Sequence, residues 1–129
     1  MIYILLNLAP IAAATLLGLA IGFGYHRAIG NPRSMSTGLV VLAALGEFWL
    51  AAILAGALIL APDKADPWIM ATGSAIVIWA GFVLPLLAIT QVYRSAPRAS
   101  VIGDSLHWLV VMLVQAVAMK LIGLVPPPV

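Results

Sequence analysis

Glu47 is the residue of this sequence best suited to carry chemistry, because it is a lone carboxylate inside an apolar segment. The segment runs from Gly38 to Ala61, and the nearest other charged residues are Arg33 and Asp63. A charge near the middle of a bilayer costs roughly 3 kcal/mol on insertion scales. Burial favours the neutral carboxyl, so we expect Glu47 to be mostly protonated at pH 7. Two interpretations are open: a titratable site for a proton or cation, and a neutral carboxyl that donates a structural hydrogen bond.

A second group of polar residues lies near the carboxyl end of the sequence. Asp104, His107, Val111 and Gln115 follow a spacing that places them on one face of a helix. The face is either hydrated and proton-conducting, or a seam of interhelical hydrogen bonds worth about 0.6 kcal/mol each. The Asp104-x-x-His107 pair resembles half of a bundle metal site, but a single copy does not predict one. We therefore predict no metal and no other cofactor.

The composition places these residues in a membrane protein. Of 129 residues, 64% are hydrophobic and 8% are charged, against about 25% charged in a soluble domain. There is no cysteine, which excludes a disulfide or a thiolate nucleophile. The six basic residues are dispersed, which argues against a nucleic-acid surface. No catalytic constellation is present, so we do not expect an enzyme.

Four apolar segments are each long enough to cross the bilayer as a helix, which takes about 20 residues. We predict helices at about 2–23, 38–61, 68–91 and 101–125. Helices are expected because such long runs cannot satisfy their backbone groups in lipid in any other way. The sequence thus predicts an all-α fold: a single domain, 1–129, that forms an up-down bundle of four transmembrane helices, the first of them retained rather than cleaved.

Polar residues mark where these helices begin and end. The segment from Tyr25 to Thr37 is predicted to be a polar loop. Asp66 and Ser100 are predicted N-caps of the third and fourth helices. The prolines after Val125 should leave the tail extended.

The basic residues predict the orientation of the bundle. Arg27, Arg33, Arg94 and Arg98 fall on one side of the membrane, which should be the cytoplasmic side. Both termini would then lie outside. Counted from the cytoplasmic edge, Glu47 should be about 15 Å deep and His107 about 10 Å deep. The two side chains are therefore predicted to come within reach of each other if their helices are neighbours.

Small residues indicate where helices pack closely. Ala14, Gly18 and Gly22 recur at four-residue spacing in the first helix, and Gly56 lies in the second. They allow close helix contacts either within one bundle, which is the favoured interpretation, or at a homodimer seam. Pro85 should kink the third helix.

Short motifs throughout the chain resemble a family of bacterial four-helix membrane proteins, the domain-of-unknown-function family 1761. The motifs are Gly-Phe-Gly-Tyr at 22–25, Gly-Glu-Phe at 46–48, Gly-Phe-Val-Leu-Pro at 81–85, Tyr-Arg at 93–94 and Ile-Gly-Asp at 102–104. The loop after Tyr25 departs from the family's aromatic-rich version. The resemblance implies four helices and a place in the bacterial inner membrane. It implies no activity, and it assigns no functional residue.

Two functions are consistent with the sequence. The first is a homo-oligomeric, proton-linked permeation or transport unit, in which Glu47 titrates and His107 or Asp104 acts as its relay. The second is an accessory subunit that packs on a larger membrane complex or binds lipid or pigment, in which Glu47 only joins helices.

Overall fold

The protein is all-helical across the residues that the structure, a computed structural model, describes: 1–31, 33 and 36–128. The helices are α1 (Ile2–Leu6), α2 (Leu8–Ala28), α3 (Thr37–Leu60), α4 (Pro67–Ile78), a π-helical turn (Trp79–Val83), α5 (Leu84–Tyr93) and α6 (Arg98–Ile122). The α4–α5 segment is continuous, so four helices are long and apolar enough to cross a bilayer. The chain is therefore a multi-pass membrane protein, as the sequence predicts.

The first predicted helix is interrupted at Asn7. Pro10 has no N–H to offer to the carbonyl of Leu6, so a helix beginning near the amino terminus ends there. The side chain of Asn7 instead donates to the carbonyls of Tyr3 and Val125, both at 2.8 Å. The backbone N–H of Val125 donates back to Asn7 Oδ1 at 2.7 Å. This reciprocal pair places the two ends of the chain at the same end of the bundle.

The predicted loop from Tyr25 begins too early, because α2 continues to Ala28. Tyr25 and His26 turn inward on its last turn, where they contact other helices. The Arg27 guanidinium lies over the Phe23 ring at 5.9 Å and can reach the membrane surface. Polar residues at a helix end thus resemble a loop in sequence. Pro32, also assigned to that loop, lies outside the described residues.

Two of the predicted helix boundaries follow from capping. The Asp66 carboxylate accepts a hydrogen bond from the Trp68 N–H at 2.9 Å, and Pro67 is the first helical residue, as predicted. The predicted Ser100 cap is wrong. The helix starts at Arg98 directly after Pro97, which cannot lie inside a helix, and Ser100 is within it.

The fourth spanning helix, α6, is the centre of the bundle. It packs against α2, α3, α4 and α5, while α2 also packs on α3 and α3 on α4. The buried core is built largely from small side chains and methionines, which allow the helices to approach closely. Its most buried members are Ile11, Ala14, Ala51, Ala52, Leu54, Ala55, Ala75, Met112, Ala116 and Met119.

The α4–α5 segment is the least buried of the four spanning helices. Its π-helical turn lies directly before Pro85, where the sequence predicts a kink. A missing N–H and a wider turn are two ordinary causes of helix bending. Trp79 anchors this turn to α6 by donating from its indole N–H to the carbonyl of Ser105 at 2.8 Å.

The four arginines define one end of the bundle, hereafter the arginine end. The opposite end, the lysine end, carries Lys64, Lys120, Met1 and the segment around Val125. We expect a reporter fused after Val129 to be active only outside the cytoplasm, and one inserted between Asn31 and Pro32 to be active only inside it. Reporter assays in intact cells measure both. The reverse pattern would place the arginine end outside. Val129, like Pro32, lies outside the described residues.

Candidate intramembrane polar site

The Glu47 side chain lies inside the protein rather than in lipid. Its residue is 4% exposed, on the face of α3 that meets α2 and α6. The carboxyl atom Oε2 is buried and has no hydrogen-bond partner among the described residues. If Glu47 only joins helices, its carboxyl needs a hydrogen-bond partner on a neighbouring helix. The described residues provide no such partner for Oε2.

Glycines on α2 provide the space for Glu47. A Cβ added at Gly18 would lie 2.5 Å from Glu47 Oε2 and 2.8 Å from Gln115 Nε2. A Cβ added at Gly22 would lie 3.8 Å from Glu47 Oε1 and 3.9 Å from His107 Nε2. Any side chain at Gly18 would therefore displace the carboxyl. Gly18 and Gly22 face the polar residues of their own protomer.

Gln115 and His107 bring further unpaired polar atoms to the same place. Gln115 is fully buried, and its amide donates to the carbonyl of Ala14 at 3.3 Å. Gln115 Oε1 and His107 Nδ1 are both buried without a hydrogen-bond partner in the described part of the chain. Together with Glu47 Oε2, three unpaired polar atoms thus lie around one stretch of α2. Each is expected to cost about 1–3 kcal/mol, so the arrangement does not maximise stability.

Two residues that the sequence analysis assigned to a loop extend this site towards the arginine end. The Tyr25 ring stacks on the His107 ring, with centroids 4.6 Å apart and planes 8° from parallel. The His26 ring meets His107 edge-on at 5.8 Å, and the Asn31 amide lies 3.5 Å from His26 Nδ1. Gly18, Gly22 and Tyr25–His26 follow one another at three- to four-residue spacing along α2. That spacing is the sequence signal that Tyr25 and His26 lie on the same helix face as the two glycines.

Asp104 has a different environment from the other three predicted polar residues. Its Oδ1 accepts from the Tyr25 hydroxyl at 2.6 Å, and its Oδ2 accepts from Gln91 Nε2 at 2.5 Å. It therefore joins α2, α5 and α6 at the arginine end, with both carboxylate oxygens in use. Gly103 makes room for this contact, since a Cβ there would lie 2.8 Å from the Tyr25 hydroxyl. The geometry fits an interhelical hydrogen-bond seam at Asp104 better than it fits a relay.

On the other side of Glu47 the interior is mainly apolar, and the buried Thr15 hydroxyl there donates to the carbonyl of Ile11 at 2.8 Å. Ile11, Ala55, Ala116 and Met119 are all fully buried between the Gln115 level and the lysine end. We refer to these four residues as the apolar layer. At the level of Ala55, Tyr3 donates to the carbonyl of Ala52 at 3.0 Å and lies against Gly56, where a Cβ would meet its hydroxyl at 2.9 Å. Ionisable side chains thus lie on the arginine side of Glu47, and mainly apolar side chains lie on its lysine side.

Glu47 and His107 are the two side chains at this depth of a type that binds metals. Across residues 1–31, 33 and 36–128, no three side chains of the His, Asp or Glu type are grouped closely enough to hold an ion. Glu47 and His107 contribute one carboxylate and one imidazole. What they can do together chemically is accept, hold and release protons.

Comparisons with known proteins do not supply an identity for the site. Protein-family models, curated proteins and solved structures each give no match to this chain. The function must therefore be inferred from the geometry of the polar residues within a multi-pass membrane protein.

Proposed function

We propose that the protein is a proton-linked permeation or transport unit of the bacterial inner membrane, with Glu47 as its titratable site. The observation that carries this proposal is the buried Glu47 carboxyl, which has an unpaired oxygen and an imidazole nearby. Ionisable residues inside a membrane are costly and usually mark an ion or proton pathway. His107 is the proposed relay, because Gly22 brings it and Glu47 to the same point on α2.

We also propose that the working unit is a homo-oligomer. The apolar layer closes the interior of one protomer, so a complete pathway requires the layer to move or a second protomer to contribute. The α4–α5 segment offers a surface for that second copy, since added Cβ atoms at Gly73 and Gly81 would meet nothing within 4 Å. Glycines with open space beside them permit close helix–helix contacts in lipid.

The same surface supports the alternative function, an accessory subunit of a larger membrane complex. The α4–α5 helix exposes large apolar side chains such as Phe82, Leu86 and Ile89. These fit lipid, a pigment or the helix of another protein equally well. In this alternative the apolar layer is permanent and Glu47 never titrates.

Membership of the domain-of-unknown-function family 1761 is likewise a proposal. It is supported by the short motifs at 22–25, 46–48 and 81–85. Two of them include residues of the polar site, Gly22, Tyr25 and Glu47. The proposal for Glu47 does not depend on the family.

Flux measurements across reconstituted vesicles test the proposed function. We expect wild-type protein to produce pH-dependent flux above that of empty vesicles, and Glu47→Gln to abolish it. Glutamine keeps the shape of the side chain but cannot titrate, so the variant should retain the helical content of wild type. Asp63→Asn is the matched control, because it removes a carboxylate from the exposed hairpin instead.

Two results would contradict the proposed function. Wild-type flux no greater than that of empty vesicles, over a broad range of ions and small solutes, would leave the accessory subunit as the better proposal. Unchanged flux in Glu47→Gln would show that transport does not use this carboxyl.

A further inference from the structure

We infer that Glu47 exchanges its proton with the arginine end alone, through His107 and then His26. The inference rests on the proposed function for its biological use, but it concerns the route of the proton rather than the transported solute. It assigns a role to His26, which the sequence places in a loop and the structure places in the bundle.

The route follows side chains that succeed one another in one direction along α2. Glu47 Oε1 and His107 Nε2 lie 3.8 and 3.9 Å from the position that a Cβ on Gly22 would take. The His107 and His26 rings meet edge-on with centroids 5.8 Å apart, and the Asn31 amide lies 3.5 Å from His26 Nδ1. Asn31 lies just beyond the end of α2, at the arginine end of the bundle. His107 and His26 thus lie in turn between the Glu47 carboxyl and the arginine end.

Imidazole has the chemistry that such a route needs. A neutral imidazole accepts a proton on one ring nitrogen and releases another from the second, so it returns to neutrality after each transfer. In the inward direction His26 would take a proton from water at the arginine end, His107 would receive one in turn, and the Glu47 carboxylate would become a carboxyl. The buried, unpaired Nδ1 of His107 is available for this exchange or for a bridging water.

The other ionisable groups near Glu47 do not offer a second route. From α2 only Tyr25 and His26 face the site, and from α6 only His107 and Asp104, the latter held by Tyr25 and Gln91. The α4–α5 segment from Pro67 to Gln91 contains no Asp, Glu, Lys, Arg or His. Towards the lysine end the apolar layer has no ionisable side chain, and the hydroxyls beside it, those of Thr15 and Tyr3, both donate to backbone carbonyls.

Carbodiimide labelling tests the route without requiring transport. A membrane-permeant carbodiimide reacts with protonated carboxyls in apolar surroundings, and mass spectrometry measures the adduct on Glu47. Vesicles of both orientations would be prepared, and the pH raised from neutral to strongly alkaline on one side at a time. We expect labelling to fall when the pH is raised on the arginine side and to stay constant when it is raised on the lysine side.

His26→Gln tests the residue itself. The variant should reach the same final extent of Glu47 labelling. The labelling should change at least about tenfold more slowly after the pH step, because glutamine cannot transfer a proton. Tyr3→Phe, which removes a hydroxyl at the lysine end, should respond like wild type. Circular dichroism verifies that both variants are folded.

Three outcomes would overturn the inference: labelling that follows the lysine side, labelling that follows both sides, or an unchanged response in His26→Gln. One-sided labelling in a protein without measurable flux would support the route and reject the proposed function, so the two can fail separately.

Discussion

Replacing Glu47 by methionine should raise the thermal stability of the protein while ending its proton-linked flux. The carboxyl atom Oε2 is buried without a hydrogen-bond partner in the part of the chain that the structure describes, and a buried polar atom in that state costs about 1–3 kcal/mol. Methionine has a similar length, no strong polar group and enough flexibility to fill the space beside Gly18 and Gly22. The expected gain is several degrees in melting temperature, measured by the unfolding of purified protein in detergent.

Asp104→Leu is the contrasting control for this experiment. It also removes a carboxylate near a helix interface, but it leaves the Tyr25 hydroxyl and the Gln91 amide without their acceptor. That variant should lose stability by a similar amount. If Glu47→Met is instead destabilised as strongly as Asp104→Leu, Glu47 stabilises the fold through a contact of its own, and the structural interpretation is correct.

A leucine at Gly18 should prevent the bundle from closing, whereas a leucine at Gly24 of the same helix should not. The added side chain at Gly18 would enter the space held by Glu47 Oε2 and Gln115 Nε2, while a Cβ at Gly24 meets nothing within 4 Å. Overpacking of a tight interior costs about 1–3 kcal/mol for small additions and more for a whole leucine. At Gly24, by contrast, leucine has a higher helix propensity than the glycine it replaces.

The measurement is the yield and melting temperature of folded monomer for both variants. A Gly18→Leu protein that stays as stable as wild type, but changes from dimer to monomer, would show that Gly18 lies at a subunit seam. Equal losses in both variants would show that α2 does not tolerate leucine in general, independently of the polar site.

The spanning helices were predictable because backbone groups in lipid must be hydrogen-bonded within a helix. Long apolar runs specify spanning helices, and Asp66-Pro67 specifies where the third one starts. The break at Asn7 depends on a contact with Val125, which lies 118 residues away, so local sequence does not show it. The carboxyl end of α2 and the start of α6 were misplaced by five and three residues, because polar residues at a helix end resemble those of a loop. The carboxyl end of α6 was placed three residues too late, because Gly123 ends the helix with a φ of 103° inside an apolar stretch.

The depth of the polar residues in the membrane was predictable, but the side chains that they contact on other helices were not. Helical rise alone suggested that Glu47 and His107 lie at similar depths, and the structure brings both to Gly22. Which side chains pair across helices depends on how each helix is rotated, and spacing along one helix does not contain that information. For this reason Gln91 and Tyr25 were not anticipated as partners of Asp104.

The central position of α6 has a consequence for biogenesis. This helix contacts every other spanning segment, yet it is synthesised after them. Until α6 has been inserted, Glu47 and the Tyr25–His26 pair have no His107, Gln115 or Asp104 to meet, and they must face lipid or the insertion machinery. The first three segments therefore form an incomplete intermediate with a polar surface at membrane depth.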